Sequence, residues 1–97
     1  MDRHIIEIPK NPVTEETLMR LAHAGISRRL RDSGLTYSLT DAIRLEQFSD
    51  VDRYAIIWVN SGGNALAVET ALLLAGRGLL PTSLPHAEYG CRILIQW

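Results

Sequence analysis

Hydrophobic residues in the first third of the chain recur with the period of an α-helix. The stripe consists of Leu18, Leu21, Ala22, Gly25, Ile26 and Leu30. Thr14 can cap the helix, and Glu15 and Glu16 suit the positive charge of a helix N-terminus. Gly34 supplies a C-terminal stop, because glycine readily adopts the left-handed conformation found there. The pattern predicts a helix that begins after Thr14 and ends before Gly34.

Strand patterns flank this helix on both sides. Residues 4–8 form a short, mainly apolar run closed by Pro9, which has no backbone N–H for a sheet. Residues 35–48 alternate with period two and predict a strand, bent near Asp41. A helix over residues 38–48 is the alternative, because Ser38 and Asp41 resemble a capping box. The alternation covers more residues than the helical pattern, so a strand is predicted.

The second half of the chain repeats the succession of strand, helix and strand. Residues 53–60 predict a strand in which residues 54–59 are apolar on both faces, as in a central strand. The segment 60–64 breaks this strand and caps a second helix over residues 65–77, with Gly76 and Gly78 as the stop. Residues 79–85 form a looser stretch with two prolines, and residues 91–97 alternate as a final strand.

The predicted element order is β-α-β-β-α-β within a single α+β domain covering residues 1–97. With right-handed crossovers, this order gives the ferredoxin-like arrangement, a four-stranded antiparallel sheet with two helices on one face. Strands one and three are then central, while strands two and four lie at the edges.

Composition and charge narrow the function classes. The chain is 46% hydrophobic and 22% charged with a formal net charge of -1. It therefore has no electrostatic reason to bind nucleic acid or an anionic membrane. A single cysteine excludes an internal disulfide, and neither a signal peptide nor an apolar run long enough to span a bilayer is expected. A cytoplasmic protein is the resulting expectation.

Candidate chemical groups are scattered rather than clustered. His4, His23 and His86 show no metal-ligand spacing, and Cys91 falls on the apolar stripe of the last strand. The loop 61–64 contains two glycines but lacks the lysine of a phosphate-binding loop. The sequence predicts no catalytic residue, metal ligand or cofactor site, and an enzyme is the less favoured class.

Two features of the predicted helices suggest a surface for a partner. Three arginines form a basic cluster near the end of the first helix: Arg28, Arg29 and Arg31. The second helix is apolar almost all round, and a two-layer domain covers only one side of it. Leu66 and Leu73 are therefore candidate contacts, unless residues 79–85 cover them.

The open face of the predicted sheet offers a second candidate surface. If Ala55 and its alternate neighbours face the helices, Tyr54 and Trp58 lie on the opposite face. Arg44 and Arg92 flank them on neighbouring strands. A tryptophan placed there has to be covered by other residues, stack against a ligand or remain exposed to solvent.

The leading functional hypothesis is a non-catalytic protein-binding module, a small regulator or inhibitor that docks onto a larger protein complex. Small proteins encoded by phages and mobile elements share this compact, site-free character, and such an origin is part of the hypothesis. This analogy rests on the general class of small, compact proteins and on no sequence motif.

Two other classes compete with it. The segments GLTYSL at 34–39 and DRYAIIW at 52–58 resemble the dimeric α+β barrel superfamily that includes antibiotic-biosynthesis monooxygenases. This resemblance implies a homodimer with paired sheets and Trp58 in the pocket or interface, although the second helix lacks the usual polar and aromatic pocket residues. The third class is single-stranded RNA binding, in which Tyr54 and Trp58 would stack on bases and Arg44 and Arg92 would contact the RNA backbone.

Overall fold

The helices and strands of the protein are given by a computed structural model that describes residues 12–34, 39–84 and 89–97. In chain order they are α1 (Glu15–Ser33), α2 (Leu39–Ala42), β1 (Ile43–Ser49), β2 (Tyr54–Val59), α3 (Gly62–Leu74), β3 (Leu80–Leu84) and β4 (Cys91–Gln96). The predicted strand at residues 4–8 lies outside the described residues. Within them, the element order differs from the predicted β-α-β-β-α-β, because α1 precedes every strand.

Helix α1 begins and ends where the sequence predicts. The Thr14 side-chain oxygen accepts a hydrogen bond from the Thr17 amide at 3.0 Å, which satisfies one free N–H of the first turn. Gly34 ends the helix with φ 70° and donates its N–H to the carbonyls of Leu30 and Arg31. The predicted stripe is buried at Leu18, Ala22, Ile26 and Leu30.

The four strands form one antiparallel sheet in the order β1-β2-β4-β3. The four-stranded antiparallel sheet and the central position of β2 are therefore confirmed. The edge position predicted for the last strand is wrong, since β4 lies between β2 and β3. The second edge belongs to β3, in a stretch for which the sequence predicts no helix or strand. Pro81 is compatible with this position, because an edge strand leaves one side of its backbone unpaired.

The predicted strand over residues 35–48 is correct only in its second part. Residues 39–42 form one helical turn, and β1 starts at Ile43; residues 35–38 lie outside the described part. The pairing with β2 shifts between Leu45 and Gln47, so Glu46 is the extra residue of a β-bulge. The bulge reverses the alternation and brings Phe48 to the side facing the core.

Helix α3 starts three residues before the predicted position. Ser61 is its N-cap, and the Ser61 side chain accepts a hydrogen bond from the Asn64 amide at 3.1 Å. The helix ends at Leu74, shortly before Gly76, which has φ 69°.

Both helices pack on the same face of the sheet, as predicted. Side chains of α1 and α3 share one hydrophobic core with alternate residues of the central strands. These strand residues are Ala55, Ile57 and Val59 on β2 and Ile93 and Ile95 on β4. The opposite face of the sheet carries no described helix. The outer side of the helix pair and this open sheet face are therefore the two candidate surfaces for a partner.

Candidate partner-binding surface

Helices α1 and α3 lie close together at Gly25. A Cβ added to Gly25 would lie 2.7 Å from the Ala67 carbonyl oxygen and 2.8 Å from the Ala71 Cβ. Further along α1, Arg29 contacts Asn64, so the two helices run in opposite directions. Small residues at the crossing let the backbones meet.

A groove follows this helix pair on the side away from the sheet. Its volume is about 580 Å³, and most of its lining is apolar. The side chains that shape its floor and walls are Leu21, Ala24, Leu66, Ala67, Ala71 and Leu74. Because α1 and α3 are antiparallel, the C-terminal end of α1 and the N-terminal end of α3 lie at the same end of the groove.

The charged residues of the groove gather at one end. Arg28, Arg29 and Asp32 of α1 lie there beside Gly63 of α3. We call this part the arginine end. Among the described residues, no ion pair involves Arg28, whose side chain is exposed.

Arg29 is held in place by a buried amide. It donates a hydrogen bond of 2.8 Å to the side-chain oxygen of Asn64, which is completely buried. The Asn64 side-chain nitrogen donates in turn to Asn60 at 2.6 Å. This network fixes the start of α3 against the end of α1. The sequence does not predict this network, because residues 60–64 indicate a strand break, a helix cap and a glycine-containing loop without the lysine of a phosphate-binding loop.

Three leucines of α3 remain uncovered. Leu66 is 65%, Leu73 is 59% and Leu74 is 73% exposed. We call these residues the α3 leucines. Residues 80–84 form β3 rather than a cover, and Pro85 lies outside the described residues. The expected exposure of Leu66 and Leu73 is thus confirmed, while their role in binding stays a prediction.

The basic cluster expected at residues 28–31 is divided by the helix. Arg28 and Arg29 line the groove, whereas Arg31 is exposed and does not line it. Leu66 and Leu74 line the groove together with the two arginines, and Leu73 lies about two helical turns after Leu66 on α3. These residues form the candidate surface, which extends across two helices far apart in sequence.

On the open sheet face, Trp58 is covered by the protein itself. Trp58 lies on the sheet face that the sequence predicts, where it pairs with Arg44 on β1 and Arg92 on β4. It is nevertheless only 7% exposed. The Arg44 guanidinium lies 4.6 Å from the ring centroid, and the indole N–H donates to the Tyr89 carbonyl at 2.8 Å. The Tyr89 ring adds a contact with 5.6 Å between ring centroids. This packing leaves little of the indole for stacking on a ligand.

The arginines of this face share a carboxylate. Arg92 donates from Nε to Glu46 at 2.7 Å, and Arg44 lies 3.6 Å from the same carboxylate group. The hydrogen bond to Glu46 and its negative charge raise the pKa of Arg92 above its ordinary value. Tyr54 donates its hydroxyl hydrogen to Gln47 at 2.9 Å. Side chains of this face are thus largely engaged with one another.

The described part of the chain shows no cluster of three or more His, Cys, Asp or Glu side chains that could hold a metal ion. His23 is half-buried on α1, and Cys91 is a free, half-buried thiol beside the core. His4 and His86 lie outside the described residues. None of the helices in the described ranges has the length and apolar character needed to cross a membrane.

No protein-family model, curated protein or solved structure matches the chain. The likeness of segments 34–39 and 52–58 to dimeric α+β barrels stays a hypothesis drawn from those residues.

Proposed function

We propose that the protein is a non-catalytic protein-binding module that docks through the α3 leucines and the adjoining groove. The observation that carries the proposal is the exposure of Leu66, Leu73 and Leu74, each more than half accessible on one helix. Isolated exposed leucines are common on protein surfaces. Here they adjoin an apolar groove of about 580 Å³, and the combination is typical of a docking surface.

The energy available from this surface suits a specific complex. Fully burying one leucine side chain contributes about 1.5–3 kcal/mol, so three partly exposed leucines can contribute several kcal/mol to binding. A standard interface covers about 800 Å² on each partner. This area is roughly an eighth of the 6281 Å² surface of the protein. An interface of this size would leave most of the protein surface free.

We propose further that docking regulates or inhibits a larger protein complex in the cytoplasm. A module of this size can act by occupying a surface that the complex needs for its own assembly or substrate. Small proteins of phages and mobile elements are the class-level precedent.

The test uses the whole chain as immobilised bait in four forms: wild type, Leu66→Glu, Leu73→Glu and Val51→Glu. Val51 is 86% exposed in the turn between β1 and β2, so Val51→Glu adds the same charge away from the helices. We expect one partner to be retained by wild type and Val51→Glu and lost by both helix variants. With the purified partner, calorimetry is expected to show at least about a tenfold weaker Kd for Leu66→Glu, equivalent to about 1.4 kcal/mol.

Circular dichroism of each variant is the control for folding. If Leu66→Glu and Leu73→Glu unfold the domain, the leucines belong to its core and the proposal is wrong. Equal retention of the partner by folded Leu66→Glu and wild type would also contradict it.

A further inference from the structure

The chemistry of the groove indicates what kind of segment it accepts. We propose that the occupant is an amphipathic helix of another protein, about three turns long, with a carboxylate beside Arg28. This inference rests on the proposed function.

The length follows from the residues that line the groove. On α1 they extend from Leu21 to Asp32, and on α3 from Gly63 to Ala75. At a rise of about 1.5 Å per residue, both stretches measure about 17 Å. A helix lying along them presents about three turns, with apolar residues at intervals of three and four.

The backbone of the groove favours a helix over an extended peptide. Most of its walls are inner turns of α1 and α3, whose N–H and C=O groups are engaged within each helix, and it reaches the helix termini only at the arginine end. Along most of the groove an extended peptide would therefore find no backbone partners, and those of its polar groups that face the groove would be buried without hydrogen bonds. A docked helix brings its backbone bonds already made and buries only side chains.

The charge at the arginine end determines which end of a docked helix lies there. Two arginines and one aspartate line this end, Arg28 makes no ion pair with a described residue, and the first turn of α3 contains no acidic residue. The positive end of the α3 dipole lies here beside the negative end of the α1 dipole, so the two helix dipoles offset each other and the positive potential comes from the arginines. At the opposite end the lining consists of Leu21, Leu74 and Ala75, which are uncharged. A partner helix with one acidic end and an apolar remainder complements both ends.

The probes for this inference are fluorescein-labelled, hydrocarbon-stapled helices of 14 residues with leucines on one face. Each carries Glu, Gln or Lys at one end, in versions with that residue at the N-terminus or the C-terminus. Fluorescence anisotropy at low salt is expected to show the Glu probe binding about three- to tenfold more tightly than the Lys probe, as exposed ion pairs allow. Arg28→Gln is expected to reduce this ratio to within about twofold. Arg31→Gln, which removes an arginine of the same helix that does not line the groove, is expected to leave the ratio unchanged.

A nitroxide label at the glutamate end of the probe checks the orientation by NMR. We expect it to broaden the amide signals of Gly63 and Leu66 more than that of Ala75. Equal affinities for the Glu and Lys probes, an unchanged ratio in Arg28→Gln, or broadening centred on Ala75 would each overturn the inference. Concentration-dependent dimerisation that Leu66→Glu abolishes would overturn it in favour of a second copy.

Failure of this inference is distinguishable from failure of the proposed function. If no probe binds but partner retention still depends on Leu66, the helical acidic occupant is wrong and the docking surface stands. If neither probe binding nor partner retention depends on Leu66, both proposals are wrong.

Discussion

Gly25 of α1 lies directly against the backbone of Ala67 in α3. A side chain as small as a methyl group on Gly25 would come within 2.7 Å of the Ala67 carbonyl oxygen. Real contacts of this kind do not occur, so any residue other than glycine would push the helices apart. The groove floor therefore depends on one position in α1, and this dependence leads to the first prediction.

We expect Gly25→Ala to destabilise the domain by about 1–3 kcal/mol, the usual cost of overpacking. Helix propensity alone would have the opposite effect, because alanine is favoured over glycine by about 1 kcal/mol inside a helix. Ala24→Gly, at the neighbouring exposed position, measures that propensity effect without the contact. Urea unfolding monitored by circular dichroism gives both values. A Gly25→Ala protein as stable as wild type would show that the helices do not meet this closely.

Adjacent leucines of α3 provide the second prediction. Leu72 is completely buried and Leu73 is 59% exposed, although the two are neighbours in sequence. We expect Leu72→Ala to cost about 2–5 kcal/mol because it leaves a cavity in the core. Leu73→Ala is expected to change stability by no more than about 0.5 kcal/mol. Both substitutions change helix propensity by the same amount, so the difference in urea midpoint reports burial. Similar costs for the two would mean that Leu73 is part of the core.

The sequence predicted those elements whose signals are local. Thr14 and Gly34 mark the ends of α1 with their own capping hydrogen bonds, and the apolar character of residues 54–59 on both faces indicated a central strand. The exposure of Leu66 and Leu73 was one of two outcomes compatible with the sequence, because a two-layer domain covers one side of a helix and residues 79–85 could have covered the rest.

Features that depend on distant residues could not be predicted in this way. In a two-layer domain every strand has one open face, so the alternation along β4 does not distinguish a central strand from an edge strand. The cover over Trp58 comes from Tyr89, which lies 31 residues further along the chain. The β-bulge at Glu46 did leave a signal, since Phe48 breaks the alternation of β1.

Two glycines with positive φ provide the third prediction. Gly34 has φ 70° with no atom within 4 Å of an added Cβ, whereas Gly90 has φ 77° and would place its Cβ against the Val59 carbonyl oxygen and the Trp58 ring. Both Gly→Ala variants incur the left-handed strain of about 1–2 kcal/mol. Only Gly90→Ala also forces β4 away from β2. We expect it to cost at least about 2 kcal/mol more than Gly34→Ala in chemical unfolding. Equal costs would contradict the packing of Gly90 beneath Trp58.

The hydrogen bond from Arg29 to Asn64 provides the fourth prediction. It measures 2.8 Å, involves a charged donor and ends on a completely buried amide. A double-mutant cycle with Arg29→Met and Asn64→Leu separates this pair from the other contacts of each residue. We expect a coupling of about 1–2 kcal/mol, since hydrogen bonds to charged groups exceed neutral ones.

The matched control is the exposed pair of Glu16 and Arg20, separated by 3.8 Å on the surface of α1. Its coupling is expected to stay below about 0.5 kcal/mol, because solvent screens both charges. A coupling between Arg29 and Asn64 no larger than that of the surface pair would mean that the buried amide does not hold the arginine. The arginine end of the groove would then lack a fixed charge to orient a partner, and the polarity inferred for the docked helix would depend on Arg28 alone.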